Sequence, residues 1–385
     1  MMADNGLRIG GLGPLSMPGI AWAGRELRDG MGLAVQQLNR SGGVLGRPLV
    51  LLFEDTHGRP EAGVAALEKL LHERVHAIVG EFHSAVADAL VEPIQRSRVP
   101  FVCASATLDD ITTRRLSYVF RLAPPQSYGW GVYADYLASE GFHHVVALQE
   151  DNAYWNSGSK VIEARLRSSG VRLSRLSAVS GQVDARTWIR KVQALQSESP
   201  SPDMLLLLTG YPEPLRSVVV EARTRGLLTS TCFLGDPAGR TVFPDWWETV
   251  GTDAVNVPFL SYAPSVPTSD GTQMATAFKQ HYAREPTFVA MEGYDSVRVL
   301  ARALEDAGGT ESPNVCAALG RMELEGARGT IRFSTDHEGV VHQQWKWPPV
   351  CVAVRRHHRQ AISDAEVLWD ASAGRNARSW RALRG

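Results

Sequence analysis

The stretch VHAIVGEFHSAVADALVEPIQRSRVPFVCASAT, residues 75–107, decides how the chain is read. Residues 76–80 have the apolar character of a buried strand, a short loop ends in Ser84, and a helical run follows. Residues 99–103 form a second apolar strand that runs into Ser105 and Thr107. In this order the two strands lie parallel, and both hydroxyl-bearing loops fall at the same end of one sheet. Open α/β sheets bind small ligands at that end, and the exposed N–H groups of the helix after Ser84 favour a carboxylate or similar anion. The same residues also have a purely structural reading, with Ser84 as an N-cap and Ser105 and Thr107 as turn residues.

The alternation continues on both sides. Residues 7–12 read as a strand, and residues 21–38 as a helix with Leu27, Met31, Ala34, Val35 and Leu38 on one buried face. Ser41-Gly42-Gly43 stops that helix, residues 48–54 give the next strand, and Pro60 opens a helix to residue 73. After a strand at 118–122, Pro124-Pro125 marks a boundary. A second series follows, with strands at 144–149, 171–178, 203–209 and 231–235 and helices at 127–140, 157–169, 185–196 and 213–225. Two such series predict an α/β protein with two doubly wound, Rossmann-like lobes of parallel sheet. The remainder is less regular: an extended segment at 253–263, helices at 271–283, 290–307 and 315–324, and a hairpin of strands 330–333 and 340–347 turning at 336–339. Beyond residue 360, Arg375, Arg378, Arg381 and Arg384 recur every third residue, as in a solvated tail.

The 385 residues are 44% hydrophobic and 21% charged, ordinary for a globular chain and enough for two cores. With 40 Lys plus Arg against 41 Asp plus Glu, the net charge of −1 carries no nucleic-acid footprint. No apolar run approaches the roughly 18 to 20 residues of a membrane span. Cys103, Cys232, Cys316 and Cys351 are far apart and form neither a metal cluster nor a disulfide framework. GGLGPLS, after the first strand, lacks the third glycine of a dinucleotide fingerprint and carries Pro14. There is no GxxxxGK[ST], HExxH or GxSxG, and the pairs His143-His144 and His357-His358 would point to opposite faces of a strand. The chain is therefore read as a binding protein rather than an enzyme, with no cofactor and no metal.

The segment GLAVQQLNRSGGVLGRPLVLLFEDTHGRPEAGVAALEKLL, followed by AIVGEFHS and VPFVCASAT, resembles type I periplasmic binding proteins of the leucine/isoleucine/valine class. It also resembles their cytoplasmic relative, the amide-sensing regulator of bacterial amidase operons. The similarity runs from about Leu7 to Val354 and includes EDNAYWNSG and FVAMEGYDSV. It implies two lobes joined by three crossovers, near Leu122, Phe259 and Ser334. The first lobe would be residues 1–122 and 260–333, the second 123–259 and 334–360, and 361–385 the tail.

The resemblance also implies a ligand site. Ser84 matches the serine that holds the ligand carboxylate, and Ser105 and Thr107 match the contacts of the next loop. Tyr154 and Tyr211 match the second-lobe tyrosines. Asp236, one place displaced from the commonest pattern, is the acid available for a ligand amino group, and Trp22 and Phe288 are apolar walls. The implied function is capture of a small amino acid-like ligand by hinge closure and delivery to the permease of an ABC importer. The alternative is a cytoplasmic amide or amino acid sensor acting on a regulatory protein. The N-terminus MMADNGLRIGG has neither a basic region nor an apolar core of a leader. The expected location is thus the periplasm if a leader has been removed and the cytoplasm if Met1 is the natural start.

Overall fold

The structure is a computed structural model that describes residues 6–198, 200–228, 232–336 and 341–372, with the backbone of 375–376. The chain divides into two compact units, residues 1–125 with 262–349 and residues 126–261 with 350–385.

The first unit begins β1 (Leu7–Gly13), α1 (Ala21–Arg40), β2 (Leu49–Asp55), α2 (Pro60–His72), β3 (Ala77–Gly80), α3 (Ser84–Ser97), β4 (Phe101–Cys103), α4 (Asp110–Thr113) and β5 (Val119–Arg121). The strands are all parallel, in the order β2-β1-β3-β4-β5. The order reverses between β1 and β3, so the loops after these strands leave toward opposite faces and open a crevice at their C-terminal ends. Gly80 makes this close pairing feasible: its φ is +123°, and a Cβ there would overlap the Leu12 carbonyl of β1. Ile78, Phe101 and Cys103 pack with Leu67 and Leu70 of α2 and Val86, Leu90 and Ile94 of α3 in one core. Each fully buried leucine there stabilises the unit by about 1.5 to 3 kcal/mol.

The second unit runs through α5 (Gln126–Ser139), β6 (His144–Asp151), α6 (Ala153–Ser168), β7 (Arg172–Val179), α7 (Ala185–Gln196), β8 (Met204–Leu208), α8 (Leu215–Thr224), β9 (Phe233–Gly235), α9 (Trp246–Val250) and β10 (Phe259–Ser261). Its parallel sheet has the order β7-β6-β8-β9. The run MLLLL of β8 is wholly buried because a central parallel strand is covered on both faces. Trp188, Ile189 and Val192 of α7 and Val218, Val219 and Ala222 of α8 share a core with Leu205 and Leu207.

The chain then returns to the first unit as α10 (Ser269–Tyr282), α11 (Phe288–Ala307), α12 (Ser312–Leu319), β11 (Leu324–Gly326) and β12 (Gly329–Ile331). Helix α11 lies against α1 and also touches β3 and β4. Two glycines bring the helices this close: a Cβ on Gly30 would overlap the Ala290 carbonyl, and one on Gly293 the Leu27 carbonyl. The last strands, β13 (Cys351–Val354), β14 (Glu366–Asp370) and β15 (Arg375–Asn376), form an antiparallel sheet of order β10-β13-β14-β15 in the second unit.

Three expectations change. The crossings fall after residues 125, 261 and 349, so the third lies well beyond Ser334. Residues 341–349 stay in the first unit because they bond to β5: Trp345 N–H donates to the Arg121 carbonyl at 2.8 Å and Arg121 N–H to that of Gln343 at 3.1 Å. The tight hairpin is β11–β12, closed at Ala327-Arg328, where the Asp295 carboxylate accepts both backbone N–H groups. Residues 330 and 331 pair with β11, the segment 341–347 meets this strand through the isolated bridge Phe333–Trp345, and residues 337–340 of the expected turn lie outside the described residues. The segment from residue 361 is not simply a tail, since β14 pairs with β13. Arg375 joins β15, while Arg378, Arg381 and Arg384 lie outside the described residues.

Candidate functional site

In the first unit the loops after β3 and β4 meet. Helix α3 starts at Ser84, with His83 as its N-cap residue making no side-chain cap. Ser84 is therefore not the cap. Its Oγ reaches across to accept N–H from Thr107 at 3.2 Å and from Leu108 at 3.3 Å. Both lone pairs are thereby used, and the hydroxyl proton remains to be donated. Thr107 is buried, and its Oγ1 has no hydrogen-bond partner among the described residues. Ser105 is also buried, but its hydroxyl donates to Glu292 Oε2 and its N–H to the Glu81 carbonyl at 3.2 Å.

Two buried acids lie behind these hydroxyls. Glu81 Oε1 accepts N–H from Phe82 at 2.8 Å and from His83 at 2.9 Å, and burial pushes its carboxyl up to about 7. Glu292 is likewise pushed to about 7 by burial, against the pull of the Arg328 guanidinium 3.1 Å away. His83 is kept neutral: burial lowers it to about 4, and its Nε2 accepts the Ile20 N–H at 3.1 Å. Together with Asp55, which accepts from Leu15 N–H at 2.7 Å and Ser16 Oγ at 2.6 Å, His83 fixes the loop between β1 and α1. These hydrogen bonds outweigh burial and hold the Asp55 carboxyl below its ordinary value. Half-buried Trp22 follows in the first turn of α1. Phe288 is the first residue of α11, one turn before Glu292, and meets Tyr262 edge-on at 5.2 Å.

In the second unit the predicted residues also follow the C-terminal ends of strands, but the polar side-chain atoms of Asp236 and Tyr211 are committed. Asp236, fully buried after β9, accepts Arg240 Nε at 3.0 Å, Thr241 N–H at 2.8 Å and Thr241 Oγ1 at 3.2 Å. Arg240 in turn donates to the carbonyls of Thr209, at 2.6 Å, and Leu207, and its guanidinium lies 5.4 Å from the centre of the Trp155 ring. Asp236 thus compensates a buried guanidinium and offers no open carboxylate to an ammonium. The phenol of Tyr211 donates to Asp245 at 2.6 Å and accepts from Thr249 at 3.1 Å. Burial and the Asp245 hydrogen bond keep it well above the ordinary tyrosine range. Tyr154 stands in the first turn of α6, where the Asn152 side chain caps Trp155 N–H at 3.0 Å. Its ring meets Trp155 at 4.8 Å and Trp130 at 5.7 Å.

Sequence reading missed Glu81, Glu292, Arg328 and Arg240. Two of them carried a signal: Arg240 is four residues after Asp236, one turn away, and Glu292 shares a helix face with Phe288 four residues before it and Asp295 three after it. Among the described residues no group of three His, Cys, Asp or Glu could hold a metal, and no helix is long and apolar enough to cross a membrane.

A sequence model described as periplasmic binding protein matches residues 6–345. Among similar proteins, the Leu/Ile/Val-binding protein homolog 3 of Brucella melitensis is 25% identical over 85% of this chain and 87% of its own. The leucine-, isoleucine-, valine-, threonine- and alanine-binding protein of Pseudomonas aeruginosa is 23% identical over 86% and 87%. The isoleucine complex of the branched-chain amino acid transporter substrate-binding protein LivJ from Streptococcus pneumoniae has a TM-score of 0.79 at 21% identity, covering 94% of this chain and 99% of that one. A solute-binding protein of an ABC transporter from R. palustris, in complex with benzoate, has a TM-score of 0.78 at 17% identity, over 95% and 96%. Members of this family are binding proteins rather than enzymes, which gives the chain a solute-binding role. With its two doubly wound α/β units and a match over most of its length, the chain belongs to the periplasmic binding protein family.

Proposed function

We propose that the protein captures a small amino acid-like carboxylate by hinge closure and hands it to the permease of an ABC importer, acting in the periplasm. The observation that carries this reading is the state of Ser84. Its oxygen is filled by the N–H groups of Thr107 and Leu108, so its proton is free to be donated at the start of α3. A carboxylate placed there receives a charge-assisted hydrogen bond and the favourable end of the helix dipole. Thr107 Oγ1, without a hydrogen-bond partner among the described residues, is the second polar contact, and Trp22 and Phe288 are the first unit's apolar walls. Tyr154 and Tyr211 are the second unit's contribution, Tyr211 through its ring, since its hydroxyl is held by Asp245 and Thr249. The names of the relatives, which bind leucine, isoleucine and valine, favour a branched aliphatic side chain.

The test is a thermal-shift screen of L-leucine, L-isoleucine, L-valine, short amides and benzoate. A ligand at 100 times its Kd adds about 2.7 kcal/mol of stability. A melting temperature unmoved by the whole set contradicts the proposal.

A further inference from the structure

A hydroxyl has one proton, and where it goes decides what the oxygen offers to a ligand. On the first unit the two serines spend theirs in opposite ways. Ser84 accepts two N–H groups and keeps its proton to give. Ser105 gives its proton to Glu292 Oε2, leaving its oxygen as an acceptor. These residues follow the neighbouring parallel strands β3 and β4, so donor and acceptor belong to adjacent loops at the same end of one sheet.

When ionised, Glu292 is held in the accepting role. It is fully buried on α11, and its other oxygen receives Arg328 Nη1 at 3.1 Å. Arg328 is fully buried too, held by the carbonyls of Tyr262 at 3.2 Å and Leu122 at 3.3 Å and stacked 4.9 Å from the centre of the Trp345 ring. The charged groups facing Glu292 are Arg328, from the β11–β12 turn, and Asp295 on its own helix. Asp295 is engaged by the N–H groups of Ala327 and Arg328.

We propose that Glu292 is a positioning residue which, through Ser105, selects ligands carrying an N–H donor beside the carboxylate over plain carboxylates such as benzoate. This rests on the solute-binding reading above and names what that site discriminates. An ammonium or amide N–H fits the Ser105 oxygen. A second carboxylate oxygen there faces lone pairs and is repelled. In Glu292→Gln the side-chain amide donates to Ser105, whose proton then turns outward, and the selectivity shifts toward plain carboxylates.

The experiment is calorimetric titration of L-leucine and benzoate into the full chain, wild type, Glu292→Gln and Ser105→Ala, at pH 8. Wild type is expected to prefer leucine. Glu292→Gln should lower the leucine-to-benzoate affinity ratio about tenfold or more. Ser105→Ala, which leaves the Glu292–Arg328 pair intact, should weaken leucine without strengthening benzoate. Repeating the wild-type leucine titration at pH 6 should show weaker binding, because a protonated Glu292 donates back to Ser105. Glu81 titrates in the same range and is present in both proteins, so a pH dependence that persists unchanged in Glu292→Gln overturns the proposal. So does an unchanged affinity ratio in that variant, or wild-type leucine affinity in Ser105→Ala. If Glu292→Gln does not fold, Ser105→Ala decides: its leucine affinity must fall below wild type and its benzoate affinity must not rise. A wild type that binds neither compound fails the solute reading itself, whereas leucine binding that ignores both substitutions fails only the role of Glu292.

Discussion

The strand ends of the two units carry similar residue types and use them differently. In the first unit Ser84 keeps a proton to donate, Thr107 Oγ1 is without a partner among the described residues, and buried acids lie directly behind. In the second unit Asp236, Arg240 and Tyr211 satisfy one another or their neighbours, and what they present is aromatic surface. Under the proposed function, unspent hydrogen bonds mark the half that would recognise a polar head. Spent ones mark a scaffold for rings.

The largest expected effect breaks the scaffold. Asp236→Ala leaves Arg240 buried without its counter-charge and should cost about 3 to 5 kcal/mol in urea unfolding. Wild-type stability with lost ligand binding would instead make Asp236 a ligand contact and erase the contrast.

Next is the acid behind the first unit's hydroxyls. Glu81 has a folded value of about 7 against 4.5 unfolded. The native state therefore binds the extra proton between these values, and stability from this group falls as pH rises through that window. His83, lowered to about 4, acts in the opposite sense, its contribution rising with pH from about 4 toward its ordinary 6.5. The two slopes oppose in wild type. Glu81→Gln, which keeps an acceptor for the Phe82 and His83 N–H groups, removes one of them. It should exceed wild-type stability above pH 7 by about 3 kcal/mol, a difference that opens between pH 4.5 and 7, while the Glu292 slope, of the same sense as that of Glu81, stays in both proteins. Parallel curves for the two proteins in thermal unfolding would contradict the burial of an ionised Glu81.

Smaller again is the loss of the Ser84 hydroxyl, about 1 to 3 kcal/mol of ligand affinity. Tyr211→Phe sharpens the contrast from the other side. It should cost about 0.5 to 1.5 kcal/mol of stability, through the Asp245 and Thr249 hydrogen bonds, and leave affinity near wild type.

The alternation of strands and helices was legible because apolar spacing reports burial directly: Leu27, Met31 and Ala34 of α1 and the whole of β8 are buried as their pattern implies. The resemblance carried the family. What stayed hidden depends on pairing between distant residues. Nothing near Gln344 in sequence shows that its side chain and backbone lie along Arg121, so the third crossing was placed too early. The hydroxyl and carboxylate positions were readable, but not whether each group was already in use. Ser105 is spent on a residue 187 positions away, and Asp236 on one only four away.

The most direct measurement is the Kd of L-leucine for Ser84→Ala and Tyr211→Phe beside wild type, in one calorimetric series. Weakening of roughly fivefold to more than a hundredfold is expected for Ser84→Ala and a change within about twofold for Tyr211→Phe. A Ser84→Ala protein with wild-type affinity, or a Tyr211→Phe protein that loses binding while remaining folded, would contradict it.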